Sequence, residues 1–334
     1  MVTDLCSLPS VHQFGEPPHG TLEAVVETVQ FSIVCFTLPF YCFVIYSLID
    51  AQLRGVKELS TPFFKLCVTT AVIDICTLLN NYLGSKIPKW GWGTRVYLFL
   101  DGYYAHIYFY FAWTSGICQA MCVTVSATNR LSAIIFPNKH YQIWNSKRLR
   151  AAYVIQFLPG MLVGCATCFS GTQLYRNTSN GVVPKFKNES FIFYLFLTAG
   201  TFMTFVCLYL IFAYCYLIFV LRKNGNAIKG ANFQKSKNQS KKKEMKLFIM
   251  SSITVAIQMC ALCLLICNSM EIFAISLDTF YLLYNVICDL YAGINPYLLW
   301  ILSDSLRKHI FTRIRRKTIK KATSSPSVVT MNQT

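Results

Sequence analysis

The chain has 334 residues, of which 54% are hydrophobic and only 13% charged, with a mean hydropathy of +0.44. A soluble domain carries about 25% charged residues, so composition excludes one and points to a single domain of helices in lipid. The formal charge of +17 suggests nucleic acid at first sight, but the basic residues sit in short loops and a tail between apolar runs, where they act as topology signals rather than as one basic face.

In chain order, residues 1–22 are polar, with Pro9, Pro17 and Pro18, and lack the basic-then-apolar pattern of a secretory signal. The first apolar run, about Val25–Ile49, is therefore expected to serve as an uncleaved anchor, kinked at Pro39. About 20 apolar residues cross a bilayer, and six further runs qualify. The second, Phe63–Leu83, carries Asp74 near its middle, and the loop Gly84–Arg95 after it holds Lys86, Lys89, Trp90 and Trp92, the composition of an interfacial anchor. The long run from Val96 is interrupted at Asp101-Gly102, so the third span is expected over Tyr104–Leu131. The fourth, Ala151–Gly171, contains Pro159. A polar loop, Thr172–Ser190, follows with glycosylation sequons at Asn177 and Asn188. The fifth span is about Phe191–Leu221, then comes a strongly basic loop, Arg222–Lys246, whose one acid is Glu244. The sixth span runs over Leu247–Met270 and the seventh over Phe280–Leu302, with Asp289 and the pair Asn295-Pro296.

From Ser303, the expected N-cap, Leu306, Ile310 and Ile314 recur every four residues with basic residues between them, which predicts an amphipathic helix on the membrane surface. Beyond Lys321 the chain is rich in Ser and Thr and reads as disordered. The expected organisation is an outer tail over 1–24, a seven-helix bundle over 25–302, and a cytoplasmic helix and tail over 303–334.

Lys and Arg concentrate in loops 51–61, 137–150 and 222–246 and in the tail, which places those segments in the cytoplasm and the N-terminus outside. Both sequons named above then fall outside, while those at Asn238 and Asn332 fall inside and go unused. Of the 15 cysteines, all but Cys6 lie in apolar runs, where Cys behaves as a small hydrophobe. Cys260, Cys263 and Cys267 have metal-like spacing, but no His or carboxylate lies near them. No metal or cofactor is expected.

Three stretches carry a resemblance: PFFKL at 62–66 with Ile73-Asp74 after it, NRLSAIIFPNKHYQIW at 129–144, and INPYLLWILSDSLRKHI at 294–310. Together they resemble the seven-helix G-protein-coupled receptors, and more narrowly the nematode serpentine chemosensory receptors near classes gamma and V. The resemblance implies an arginine closing the third span, here Arg130 with Pro137 after it, an aspartate in the second, here Asp74, and the Asn295-Pro296 pair. It implies a small external ligand and a heterotrimeric G protein as partners. The sequence departs from the broad pattern in several places, among them a sixth span without tryptophan. Asn129 stands where an acid precedes the arginine, Leu299 stands for a tyrosine, and spans five and six lack proline. Loop 172–190 has no cysteine for the usual disulfide.

The residues expected to form the switch are Arg130, Asn129, Glu244, Asp74, Asn295 and Pro296, with an Arg130–Glu244 contact in the resting state. An ionisable group inside a membrane is a functional hypothesis by default, and Asp74 with Asn295 is expected to make a hydrated network. The ligand pocket is expected among Tyr104, His106, Tyr108, Trp113, Tyr281, Tyr284 and Asp289, because aromatic density suits a small apolar ligand. The basic inner segments suit anionic lipids. A ligand-gated channel or a transporter is the rival reading, although the chain shows no internal repeat. An intramembrane enzyme finds no paired carboxylates or His cluster.

Overall fold

In a computed structural model, which describes residues 5, 8–9, 21–177, 180–226, 234–269 and 277–323, the chain is a bundle of long helices capped at one end by a β-hairpin. The helices are α1 (Thr21–Leu53), α2 (Pro62–Asn81), α3 (Thr94–Ile135), α4 (Ser146–Cys168), α5 (Glu189–Asn226), α6 (Gln234–Ser269), α7 (Leu277–Gly293), α8 (Asn295–Leu302) and α9 (Asp304–Thr323). Five of the described helices are long and apolar enough to cross a membrane, and Leu282–Leu302 adds a sixth span that meets α9 across a 78° bend. The seventh is α3. It packs against α2, α4, α5 and α6, so its surroundings are protein more than lipid, and it tolerates more polar side chains than its neighbours.

Several expected boundaries move. The third helix begins at Thr94 rather than near Tyr104, and its break falls at Asp101, held at φ 44° and ψ −127°, a conformation that L residues other than glycine rarely adopt. The stretch after α2 is a π-turn, Tyr82–Lys86, and a single α-turn, Ile87–Lys89, where the sequence suggested an interfacial loop. The basic loop is shortened from both sides, since α5 runs to Asn226 and α6 starts at Gln234.

The polar loop at 172–190 contains two antiparallel strands, β1 (Thr172–Arg176) and β2 (Val182–Phe186), with Thr172 opposite Phe186 and Arg176 opposite Val182. Asn180, at φ 56°, turns the chain, and the Gly181 amide donates to Asn177 Oδ1 at 2.6 Å. A side chain at 181 would collide with the carbonyls of Pro88 and Lys89, so the glycine is what lets the hairpin lie on the Ile87–Lys89 turn. Leu174 and Val182 bury themselves against Leu98, Tyr104 and Ala105 of α3, and Phe186 stacks on Phe109 at 3.9 Å. This apolar cover takes the place of a disulfide, and the fourteen described cysteines are free.

At the opposite end, Val44 and Leu48 of α1, Phe63 and Phe64 of α2, Met250 of α6, Leu299 of α8, and Leu306 and Ile310 of α9 form one cluster. The Ser303 hydroxyl caps α9 by accepting from the Leu306 amide at 3.3 Å. The stripe expected on this helix is therefore buried in protein at Leu306 and Ile310; the side chain of Ile314 lies outside the described residues. Close approach of α4 to α3 depends on Gly160 and Gly164, where a Cβ would enter the space of Cys118 and Thr114.

Candidate functional site

Three polar layers stack along the bundle axis. The middle one centres on Asp74, which is 1% exposed. Its carboxylate accepts from Tyr41 Oη, Gln119 Nε2 and Asn295 Nδ2, each at 2.7 Å. Asn295 Oδ1 in turn accepts from Thr254 Oγ1 at 3.4 Å. Tyr291 Oη donates to Gln258 Oε1 at 3.2 Å and to the Gln119 carbonyl at 3.3 Å. Helices α1, α2, α3, α6, α7 and α8 thus share one hydrogen-bonded node. Asp74 and Asn295 touch directly, where the sequence suggested a network through water. Pro296 is buried beside them at the start of α8, where its missing N–H leaves no bond unmade.

Toward the α9 end lies Arg130, 5% exposed, its guanidinium carbon 3.4 Å from the centre of the Phe63 ring. A desolvated cation over an aromatic face gains about 2 kcal/mol, which helps hold an arginine where no carboxylate stands next to it in sequence. Asn129 points elsewhere, its Nδ2 3.4 Å from His140 Nε2. Between Arg130's neighbour Phe63 and the Asp74 node is a cavity of about 40 Å3 lined by Cys67, Ser126, Met250, Ser251 and Asn295. That volume admits water, which needs about 10–15 Å3. The side chain of Glu244, the expected partner of Arg130, lies outside the described residues. On the same helix, Lys246 Nζ meets Asp304 Oδ2 at 2.6 Å, and Asp304 also pairs with Arg307. These hydrogen bonds, Lys246's first, hold the Asp304 carboxyl below the usual carboxylate range.

The third layer is at the hairpin end, where Lys86 and Asp289, 4% and 8% exposed, pair at 2.7 Å. Lys86 Nζ also donates to Gln30 Oε1 at 2.8 Å and Tyr82 Oη at 3.1 Å. Asp289 further accepts from Tyr82 Oη at 2.9 Å and Asn81 Nδ2 at 3.2 Å. Above it, Lys89 bridges Glu23 and Glu27, and Trp90 Nε1 donates to Glu27 at 2.7 Å. Lys86 was invisible to a local reading, because a lysine beside tryptophans at a span end reads as an interfacial flank. The available signal was long-range: opposite charges inside membrane spans pair, and Lys86 and Asp289 are such charges.

The expected aromatic pocket is dispersed. Tyr104 is buried and donates to the Gly84 carbonyl at 2.6 Å. His106 Nε2 lies 3.4 Å from Thr172 Oγ1 under the hairpin. Tyr108 packs on Phe109, Trp113 meets Phe196 edge-on at 5.1 Å, and Tyr284 stacks on Phe280 at 6.0 Å. Tyr281's side chain is outside the described residues. A larger cavity of about 390 Å3 lies instead between α3, α4 and α5, lined by Ile117, Pro159, Leu162, Phe191, Tyr194 and Thr198 among others. None of the expected pocket residues lines it. Of the sequon asparagines, Asn188 is exposed. Asn177 is buried, and its Nδ2, the atom a glycan would occupy, donates to the Lys89 carbonyl at 2.7 Å.

A seven-helix membrane bundle with an arginine closing its third helix and an aspartate–asparagine contact between the second and last spans defines a serpentine receptor. The particular family follows from sequence comparison: residues 30–316 match the serpentine type 7TM GPCR chemoreceptor Srv family, and the chain belongs to it. A Caenorhabditis elegans protein, serpentine receptor class V-1, is 27% identical over 138 residues, which make up 40% of this chain and 42% of that protein. The chain thus spans less than half the length of that relative.

Proposed function

We propose that the chain is a plasma-membrane chemosensory receptor, N-terminus outside, that binds a small external ligand and activates a heterotrimeric G protein. It catalyses nothing itself; ligand binding shifts an equilibrium between two helix arrangements. The observation that carries the reading is Arg130, buried at the end of α3 against Phe63 and near a small cavity bounded by α6 and α8. Outward movement of α6 would open that cavity, free the guanidinium from its stacked position and present it to the partner. The Asp74–Asn295 contact couples the last span to this movement. Glu244 serves as the resting partner of Arg130 in this scheme, and α9 with its basic face meets anionic lipid on the cytoplasmic side.

The Lys and Arg asymmetry supports the orientation. The test is a panel of small molecules applied to cells that express the chain with a promiscuous G protein. A response that disappears in Arg130→Ala at equal surface density supports the reading. A response that survives the substitution, or a ligand-evoked current that persists with G proteins blocked, overturns it. Basal signalling unchanged by Glu244→Ala removes the lock but leaves the receptor.

A further inference from the structure

The Lys86–Asp289 layer has one polar atom too many. Gln30 is 7% exposed, its Oε1 is taken by the Lys86 ammonium, and its Nε2 has no hydrogen-bond partner. The amide orientation is fixed by chemistry, since an ammonium only donates. Oxygen and nitrogen share one carbon, so the idle N–H group sits beside Lys86 Nζ. What that N–H group can bind is a hydrogen-bond acceptor. Asp289 differs: Asn81, Tyr82 and Lys86 already occupy its oxygens. If it lost Lys86 it would keep two neutral donors. Lys86 without Asp289 would keep only the neutral oxygens of Gln30 and Tyr82, a buried cation in need of an anion.

We propose that Lys86 and Gln30 form a recognition site for the carboxylate of an organic anion, with Asp289 as the built-in counter-ion that this carboxylate displaces. The proposal rests on the receptor reading and gives it a ligand class. Displacement has a route to the rest of the bundle. Asp289 lies on α7 two residues before Tyr291 and six before Asn295, both tied into the Asp74 node. Losing the Lys86 contact removes the charged tie between α7 and the π-turn and leaves only the neutral hydrogen bonds from Asn81 and Tyr82, which loosens α7 there while its far end still holds the node. A π-turn at this point, Tyr82–Lys86, fits a site where local helix geometry serves a side-chain constellation.

The test uses the full chain in lipid nanodiscs, with straight-chain carboxylates from butanoate to decanoate and their methyl esters as probes, and reads the unfolding midpoint against probe concentration. The acids are expected to raise the midpoint and the esters to leave it unmoved. Lys86→Gln abolishes the effect of the acids, and Gln30→Leu weakens binding by about tenfold or more, the loss of a bond to a charged group. Asp289→Asn removes the internal rival and tightens binding. Opposite signs at Lys86 and Asp289 are what a purely structural ion pair would not give. Esters matching acids, no acid acting at all, or Asp289→Asn weakening binding as Lys86→Gln does would each overturn the site. Should Asp289→Asn fail to fold, Gln30→Leu, which keeps the ion pair, and the acid–ester comparison decide. No G protein takes part. Carboxylates that bind with these signs yet stimulate nothing would refute the signalling reading and leave the site standing.

Discussion

Asp74 and Asp289 are two buried carboxylates in one bundle, and their neighbours differ in kind. Asp74 is held by three neutral donors from α1, α3 and α8. Asp289 has two neutral donors and an ammonium. A carboxylate balanced by a cation is a pair whose halves need each other. One held by hydrogen bonds alone is a hub, and its loss is spread over several helices. The difference separates a point that can be taken apart by a competing charge from one that transmits whatever happens to its spokes.

The same chemical change at both sites tests this contrast, and it carries the largest expected effect. Asp289→Asn leaves Lys86 buried without its counter-ion and is expected to destabilise the protein by about 3–5 kcal/mol, read from unfolding in detergent. The double substitution Lys86→Met with Asp289→Leu is expected to recover most of that loss. Asp74→Asn keeps the size and one oxygen, so about 1–3 kcal/mol is expected, with no single second substitution restoring it. Equal losses at the two positions would erase the distinction.

A further test concerns the hairpin that covers the Lys86 end. Because the Asn177 amide is spent on the Lys89 carbonyl, Asn188→Gln is expected to remove the glycan-dependent mass shift on a gel and Asn177→Gln to leave it. The smallest effect lies at the other end of the bundle. Lys246 and Asp304 are more than a third exposed, so their bridge contributes at most about 1 kcal/mol. Asp304 has a depressed pKa in the folded protein. Its contribution is therefore present above the unfolded value of about 3.9 and fades as pH falls through the folded one. A Lys246→Ala/Asp304→Ala cycle is expected to show coupling at neutral pH that begins to fall below about pH 4 and is lost once pH drops below the depressed folded pKa.

What was legible in the sequence follows from how local each signal is. The spans, Arg130, Asp74 and Asn295 are read from apolar runs interrupted by one polar residue, and such interruptions stand out. The cap at Ser303 and the Leu306–Ile310 stripe are likewise local. The hairpin leaves a weaker local mark, because Asn180-Gly181 closes a connection longer than the two-residue turn that makes Asn-Gly a strong hairpin signal. Lys86 was hidden because its partner lies 203 residues away and a π-turn shifts its direction relative to an ordinary helix. The aromatic pocket failed for a different reason. Aromatic side chains cluster for packing as readily as for ligands, and here Tyr104 and Phe109 hold the hairpin down.

The whole scheme depends on Arg130 and the Lys246–Asp304 bridge facing the cytoplasm, with Lys86 and the hairpin outside. Epitopes placed at the two termini and stained in intact and permeabilised cells measure this directly. The account predicts an amino-terminal tag that is stained without permeabilisation and a carboxy-terminal tag that is stained only after it. The reverse pattern would put Arg130 on the outer leaflet, away from any G protein, and contradict it.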